Sequence, residues 1–138
     1  MTRRQLDDTD LMILEAVQRN GHLSHAEIAR MVGLAVSSVH ERIRKLVERG
    51  VIAGWVAQLS PAALGLDLLA FVYVLMDRPE SSPTFIELAN QLPEVQECHH
   101  IAGDWNFLLK IRVRNTAAFE ALLTNRLKTV PGVVRTQT

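Results

Sequence analysis

The sequence predicts an α+β fold in two parts: three helices in the first fifty residues, then a β-α-β-β-α-β unit from about residue 66. Three observations predict it. Helix-start signals cluster early, at Asp7 and at Ser24. The hydrophobic period shortens from about 3.6 to 2 beyond the middle of the chain. A phrase recurs where each later helix should end, Leu92-Pro93-Glu94-Val95 and Val130-Pro131-Gly132-Val133. The expected division is 1–52 for the helices, 53–65 for a connector and 66–138 for the sheet unit.

The first helix should open with Asp7 as N-cap and Asp10 at the capping-box position, with Leu6 and Leu11 as a hydrophobic staple. Leu11, Leu14 and Val17 recur at helical spacing, and Asn20-Gly21 ends the run. Ser24-x-x-Glu27 is a second capping box, flanked by Leu23 and Ile28. Ile28, Ala29 and Val32 form its buried stripe, and Gly33 supplies a C-terminal stop. The third helix should cover residues 36–49 and close at Gly50. Val39, Ile43, Leu46 and Val47 share one face. Ser37, Glu41, Arg44, Lys45 and Glu48 lie opposite, with Arg42 and Arg49 on the flank. Residues 52–59 look extended, as a wing or an arm, until Ser60-Pro61 and Gly65 break them.

Leu68–Met76 is a nearly continuous apolar run, as a buried strand would be. Ser81-Ser82-Pro83 opens a helix whose apolar face is Phe85, Ile86, Leu88, Ala89 and Leu92, and Pro93 stops it. Residues 95–102 read as a strand, and Gly103-Asp104 as a turn. Phe107, Leu109, Ile111 and Val113 alternate with Lys110, Arg112 and Arg114. Asn115 caps a helix carrying Phe119, Leu122, Leu123 and Leu127, and residues 133–138 begin a last strand. The order is the ferredoxin-like split βαβ arrangement. Such a sheet covers one face with its helices, so a second copy is expected on the other.

Composition excludes several classes. With 138 residues, 48% of them hydrophobic, the chain is too apolar to be mainly disordered. One Cys rules out a disulfide framework and a multi-Cys zinc site. The longest apolar stretch is too short to span a bilayer, and no charged-then-apolar leader precedes Asp7, so no membrane is expected and a cytoplasmic location is. Cys98-His99-His100 invites a metal reading, but adjacent strand residues point to opposite faces, so His99 and His100 cannot easily share an ion. No metal and no cofactor are expected, and no phosphate loop or nucleophile elbow occurs.

Fifteen Lys and Arg balance fifteen Asp and Glu, but the total hides a distribution. Residues 35–50 are net +2, whereas residues 1–20 are net −1. Two short helices, a tight turn at Gly33 and a third helix with a basic outer face make a helix-turn-helix, and double-stranded DNA its partner. Ser37, Ser38, His40, Glu41 and Arg44 are the candidate base readers; Arg42, Lys45 and Arg49 are the candidate phosphate contacts. A dimer would address two half-sites about 34 Å apart, or a multiple of that spacing.

These segments resemble the Lrp/AsnC regulators. The likeness rests on residues 6–14, Ala26-Glu27-Ile28-Ala29, Val32-Gly33-Leu34, residues 39–46, Gly50-Val51-Ile52-Ala53-Gly54, residues 95–109 and Val130-Pro131-Gly132-Val133. It implies a winged helix-turn-helix joined to a ferredoxin-like (RAM-type) ligand domain, with homodimers assembled further into octamers. It also implies a small-molecule effector, an amino acid, held near Ala102, Gly103, Asp104, Trp105, Asn106 and Thr136. Such a ligand would act by preferring one assembly state. Two positions depart from the family pattern. Ala35 stands where Ser commonly caps the third helix, so Ser37 or Ser38 is expected to cap instead. Asn106 stands where an Asp is common, and brings no charge to an effector's ammonium group. Sirohaem decarboxylase subunits resemble the same two-domain fold and give an enzyme alternative. Trp105-Asn106-Phe107 is faintly like their motif, but Gly103-Asp104 occupies the place of their catalytic His.

Overall fold

A computed structural model describes residues 6–138. Arg3 and Arg4, counted above in the charge of the first segment, lie outside the described residues. The described chain divides into two compact units, one ending at residue 58 and the other running over 59–138.

The first unit holds α1 (Asp8–Arg19), α2 (His25–Val32) and α3 (Val36–Glu48). Both expected capping boxes form. The Asp7 carboxylate accepts from the Asp10 N–H and the Ser24 hydroxyl accepts from the Glu27 N–H, while Asp10 and Glu27 each accept from the cap backbone. Gly33 ends α2 in the left-handed conformation, φ 70°, open to glycine at no steric cost. Ile13, Ile28, Ala29, Val39, Ile43 and Leu46 form the buried cluster. Two expected core positions are on the surface: Leu11 is 52% exposed and Val47 45%. Ile13 and Ala16 take the buried side of α1 instead, with Leu14 and Val17 partly buried beside them. Residues 53–60, most of the segment read as a wing or an arm, form no strand among the described residues. Trp55 within it lies against the α1–α2 turn: a Cβ on Gly21 would sit 3.4 Å from its ring.

The second unit is a four-stranded antiparallel sheet carrying two helices. Its elements are β1 (Leu68–Met76), α4 (Ser82–Gln91), β2 (Val95–His100), β3 (Phe107–Val113), α5 (Thr116–Leu122) and β4 (Val133–Gln137). The strand order is β2-β3-β1-β4. The expected β-α-β-β-α-β order is therefore present. The fully apolar run of β1 is not buried on both faces. Ala70, Val72, Val74 and Met76 join Phe85 and Ala89 of α4 and the inward row of β3, whereas Leu69, Phe71 and Tyr73 face outward and are exposed. Ile86 of α4, expected inward, is also exposed. Asn115 caps α5 through its side chain, as its position predicts. The helix then widens into a π turn, Leu123–Leu127, which buries Leu122, Leu123 and Leu127 together.

Candidate functional site

The outer side of α3 is the polar surface of the first unit. Ala35 is its N-cap and makes no side-chain cap bond; Ser37 and Ser38 do not replace it, because the helix starts at Val36, ahead of both. All eight residues expected at DNA lie on this helix or its end, and none is buried. Ser37, Ser38, Glu41, Arg42, Lys45 and Arg49 line one concavity of about 460 Å³ together with Asp10 of α1. Arg44 and His40 are exposed outside it.

The cations of α3 are engaged by carboxylates. Arg42 Nη1 donates to Asp7 Oδ2 at 2.7 Å and to Asp10 Oδ1 at 2.8 Å, tying α3 to the cap of α1. The Arg42 guanidinium holds the Asp7 carboxyl below its usual range, and Asp7 followed by Asp10 pushes Arg42 up. Arg44 donates from Nε to Glu41 Oε2 at 2.9 Å and from Nη2 to Glu41 Oε1 at 2.7 Å, and its Nη1 donates to Glu48. That guanidinium draws Glu41 down to about 2. Lys45 Nζ stands 3.5 Å from Glu41 Oε1. His40 Nδ1 lies 3.4 Å from His25 Nδ1, so the base of α2 touches the same helix.

Sequence reading missed the attachment of Arg42 to α1. The capping pattern at Asp7 and Asp10 was visible, but nothing in it points to an arginine more than thirty residues away.

In the second unit the loop between β2 and β3 carries five of the six residues expected at an effector. Gly103 has φ 114°, a conformation that side-chain-bearing residues rarely adopt. Asn106 is fastened at three atoms. Its Oδ1 accepts from Met76 N–H at 2.7 Å, its N–H donates to Val74 O, and its carbonyl accepts from Ile101 N–H. Trp105 packs near Tyr73 and under Arg135, whose guanidinium carbon is 5.2 Å from the ring centroid. Thr136 pairs with the inward-facing Val74, so it lies on the helix-covered face, whereas Tyr73, Trp105 and Arg135 gather on the open one. Tyr73 and Arg135 were not singled out from the sequence. Which part of β1 stands beside Arg135 of β4 needs the sheet.

Cys98-His99-His100 does alternate. Cys98 packs against the core, and burial pushes its thiol up. His99 faces outward and bonds Glu97, 2.9 Å away. Among the described residues no group of three or more His, Cys, Asp or Glu is placed to hold a metal ion. No helix among them is long and apolar enough to cross a membrane.

Residues 6–53 match the winged helix-turn-helix DNA-binding model and residues 69–138 the Lrp/AsnC ligand binding domain. The chain is 38% identical over 137 residues to the leucine-responsive regulatory protein of Escherichia coli K12, covering 98% of this chain and 84% of that one. The chain belongs to the Lrp/AsnC family. A Neisseria meningitidis transcriptional regulator solved as its L-Met complex superposes with a TM-score of 0.91 at 30% identity, over 96% of this chain and 87% of that one. AsnC of Escherichia coli superposes at 0.86 and 27%, over 96% and 89%. As an Lrp/AsnC member the chain is a transcriptional regulator, with a DNA-binding first unit and a second unit that takes a small ligand. Its relatives and domains are those of regulators, not of enzymes, so the decarboxylase alternative is set aside.

Proposed function

We propose that the chain recognises specific DNA sequences through α3 and works as a homodimer whose DNA affinity an amino acid controls. The observation that carries this is the polar concavity along α3, with Ser37, Ser38, Lys45 and Arg49 around it and Arg44 and His40 beside it. Ser37, Ser38, His40 and Arg44 reach base edges in the major groove, and Lys45 and Arg49 position the helix on phosphates. Arg42 is a candidate for the same task, although its bonds to Asp7 and Asp10 point first to bracing α3.

The open sheet face supports the dimer. Leu69, Phe71 and Tyr73 form an apolar row of a kind that soluble single chains rarely leave in water. The effector reading rests on residues 102–106, with L-Met in the Neisseria relative as support for an amino acid; Thr136 lies on the opposite sheet face from Trp105 and is not part of that cluster. Asn106 brings no charge and its Oδ1 is turned to the Met76 N–H, so Asp104 is the carboxylate of that loop that would meet an ammonium group.

The test compares wild type with Arg44→Ala on a selected operator and on random duplex. The variant loses at least tenfold more affinity for the operator than for random duplex if Arg44 reads bases; equal losses make it a phosphate contact. Sizing with and without a panel of amino acids tests the second half. A single monomeric peak under every condition sinks the dimer.

A further inference from the structure

Glu41 lies one turn before Arg44 and Glu48 one turn after it, and together they bracket the guanidinium. Both Glu41 oxygens face Arg44: Oε2 accepts from Nε and Oε1 from Nη2. Oε1 also faces the Lys45 ammonium. A glutamate reading DNA directly must turn an oxygen toward a cytosine amino group. Here both oxygens are engaged by cations of its own helix.

Arg44 shows the reverse. A guanidinium has five N–H donors, and the bonds found among the described residues use three of them. One N–H remains on each terminal nitrogen. Two such donors suit the O6 and N7 acceptors that guanine presents in the major groove. An unsupported arginine is a long chain with many rotamers, and binding must freeze it; here two carboxylates freeze it beforehand.

We propose that Glu41 is a positioning residue and reads no base: it holds Arg44, with Glu48, as a preset two-donor fork for one guanine. The inference rests on the DNA-binding reading above and narrows it. Removing Glu41 then has opposite effects on two quantities. Discrimination at the guanine falls because the fork swings free. Affinity for any duplex rises because a negative charge facing phosphates is gone.

The experiment is enrichment from a randomised duplex pool with wild type, Arg44→Ala, Glu41→Gln and Glu41→Asp, followed by affinities for the enriched site, its guanine-to-adenine change and random duplex. Wild type enriches a site with a fixed guanine whose preference Arg44→Ala abolishes. Glu41→Gln lowers that same preference about three- to tenfold while binding random duplex more tightly. Glu41→Asp keeps the charge but is one carbon too short, so it lowers the preference without tightening random binding. A guanine preference that survives Glu41→Gln overturns the proposal, as does a Glu41→Gln change confined to another base pair. If wild type enriches no sequence, the DNA reading falls and takes this inference with it. If wild type enriches a site and Glu41→Gln leaves it untouched, only the fork falls.

Discussion

Among the described residues, the first unit buries six in its cluster and turns the cations of α3 back onto neighbouring carboxylates; the second buries fifteen and leaves an apolar row of β1 outside. Small helical domains have little interior to draw on, so α3 is braced by Arg42 on Asp7 and Asp10 as well as by packing. A sheet with two helices on one side has interior to spare and an uncovered side. The contrast suggests why each surface suits its task. A weak exposed pair such as Lys45 with Glu41 can be exchanged for a phosphate at small cost, whereas exposed Phe71 and Tyr73 gain only by meeting more apolar surface.

Four substitutions test that contrast. Leu109→Ala, at a fully buried position of β3, costs about 2–5 kcal/mol by cavity formation. Thermal melts should show the second unit losing its transition while the first keeps its own. Phe71→Glu leaves the fold of the chain intact but weakens self-association about a hundredfold, read by sedimentation at several concentrations. An unchanged association constant removes the open face from the interface.

Arg42→Ala lowers the melting point of the first unit at neutral pH by a smaller amount, and its pH dependence carries the information. Asp7 is ordinarily at 3.8 and is held lower in the folded chain, chiefly by Arg42. A depressed folded value contributes stability above the ordinary value and loses it as pH falls through the folded one. The gap between wild type and variant should therefore shrink below about pH 4. A gap that stays constant down to pH 2 refutes the ion-pair account. Ala35→Ser has the smallest effect. It restores a side-chain cap to α3 and raises stability by about 0.5–1 kcal/mol, measured by urea titration.

Much of the fold was legible, because local chemistry governs it. The capping boxes at Asp7 and Ser24, the Gly33 stop and the alternation along β3 are signals within a few residues. The misreadings came where a neighbour across space decides. Nothing in the run 68–76 distinguishes a strand covered on both faces from one covered on a single face, since every residue in it suits either. Leu11 and Val47 have helical spacing but sit on the edge of the stripe, and a six-residue cluster fills before reaching them. The candidate site was legible as a helix with a basic face. Its internal bonds were not, except for Glu41 with Arg44 and Arg44 with Glu48, whose spacings of three and four already place them side by side.

The π turn at Leu123–Leu127 carries a consequence for chain length. It holds one residue more than an α-helix needs over the same rise, and the surplus is taken up by a local bulge. Shortening an ordinary helix by one residue swings everything downstream through about 100° and turns its core side to water. At this place a chain lacking Thr124 can settle into regular α-helix with Leu122 and Leu127 still inward. The segment is thus where this fold absorbs a one-residue deletion without being rebuilt.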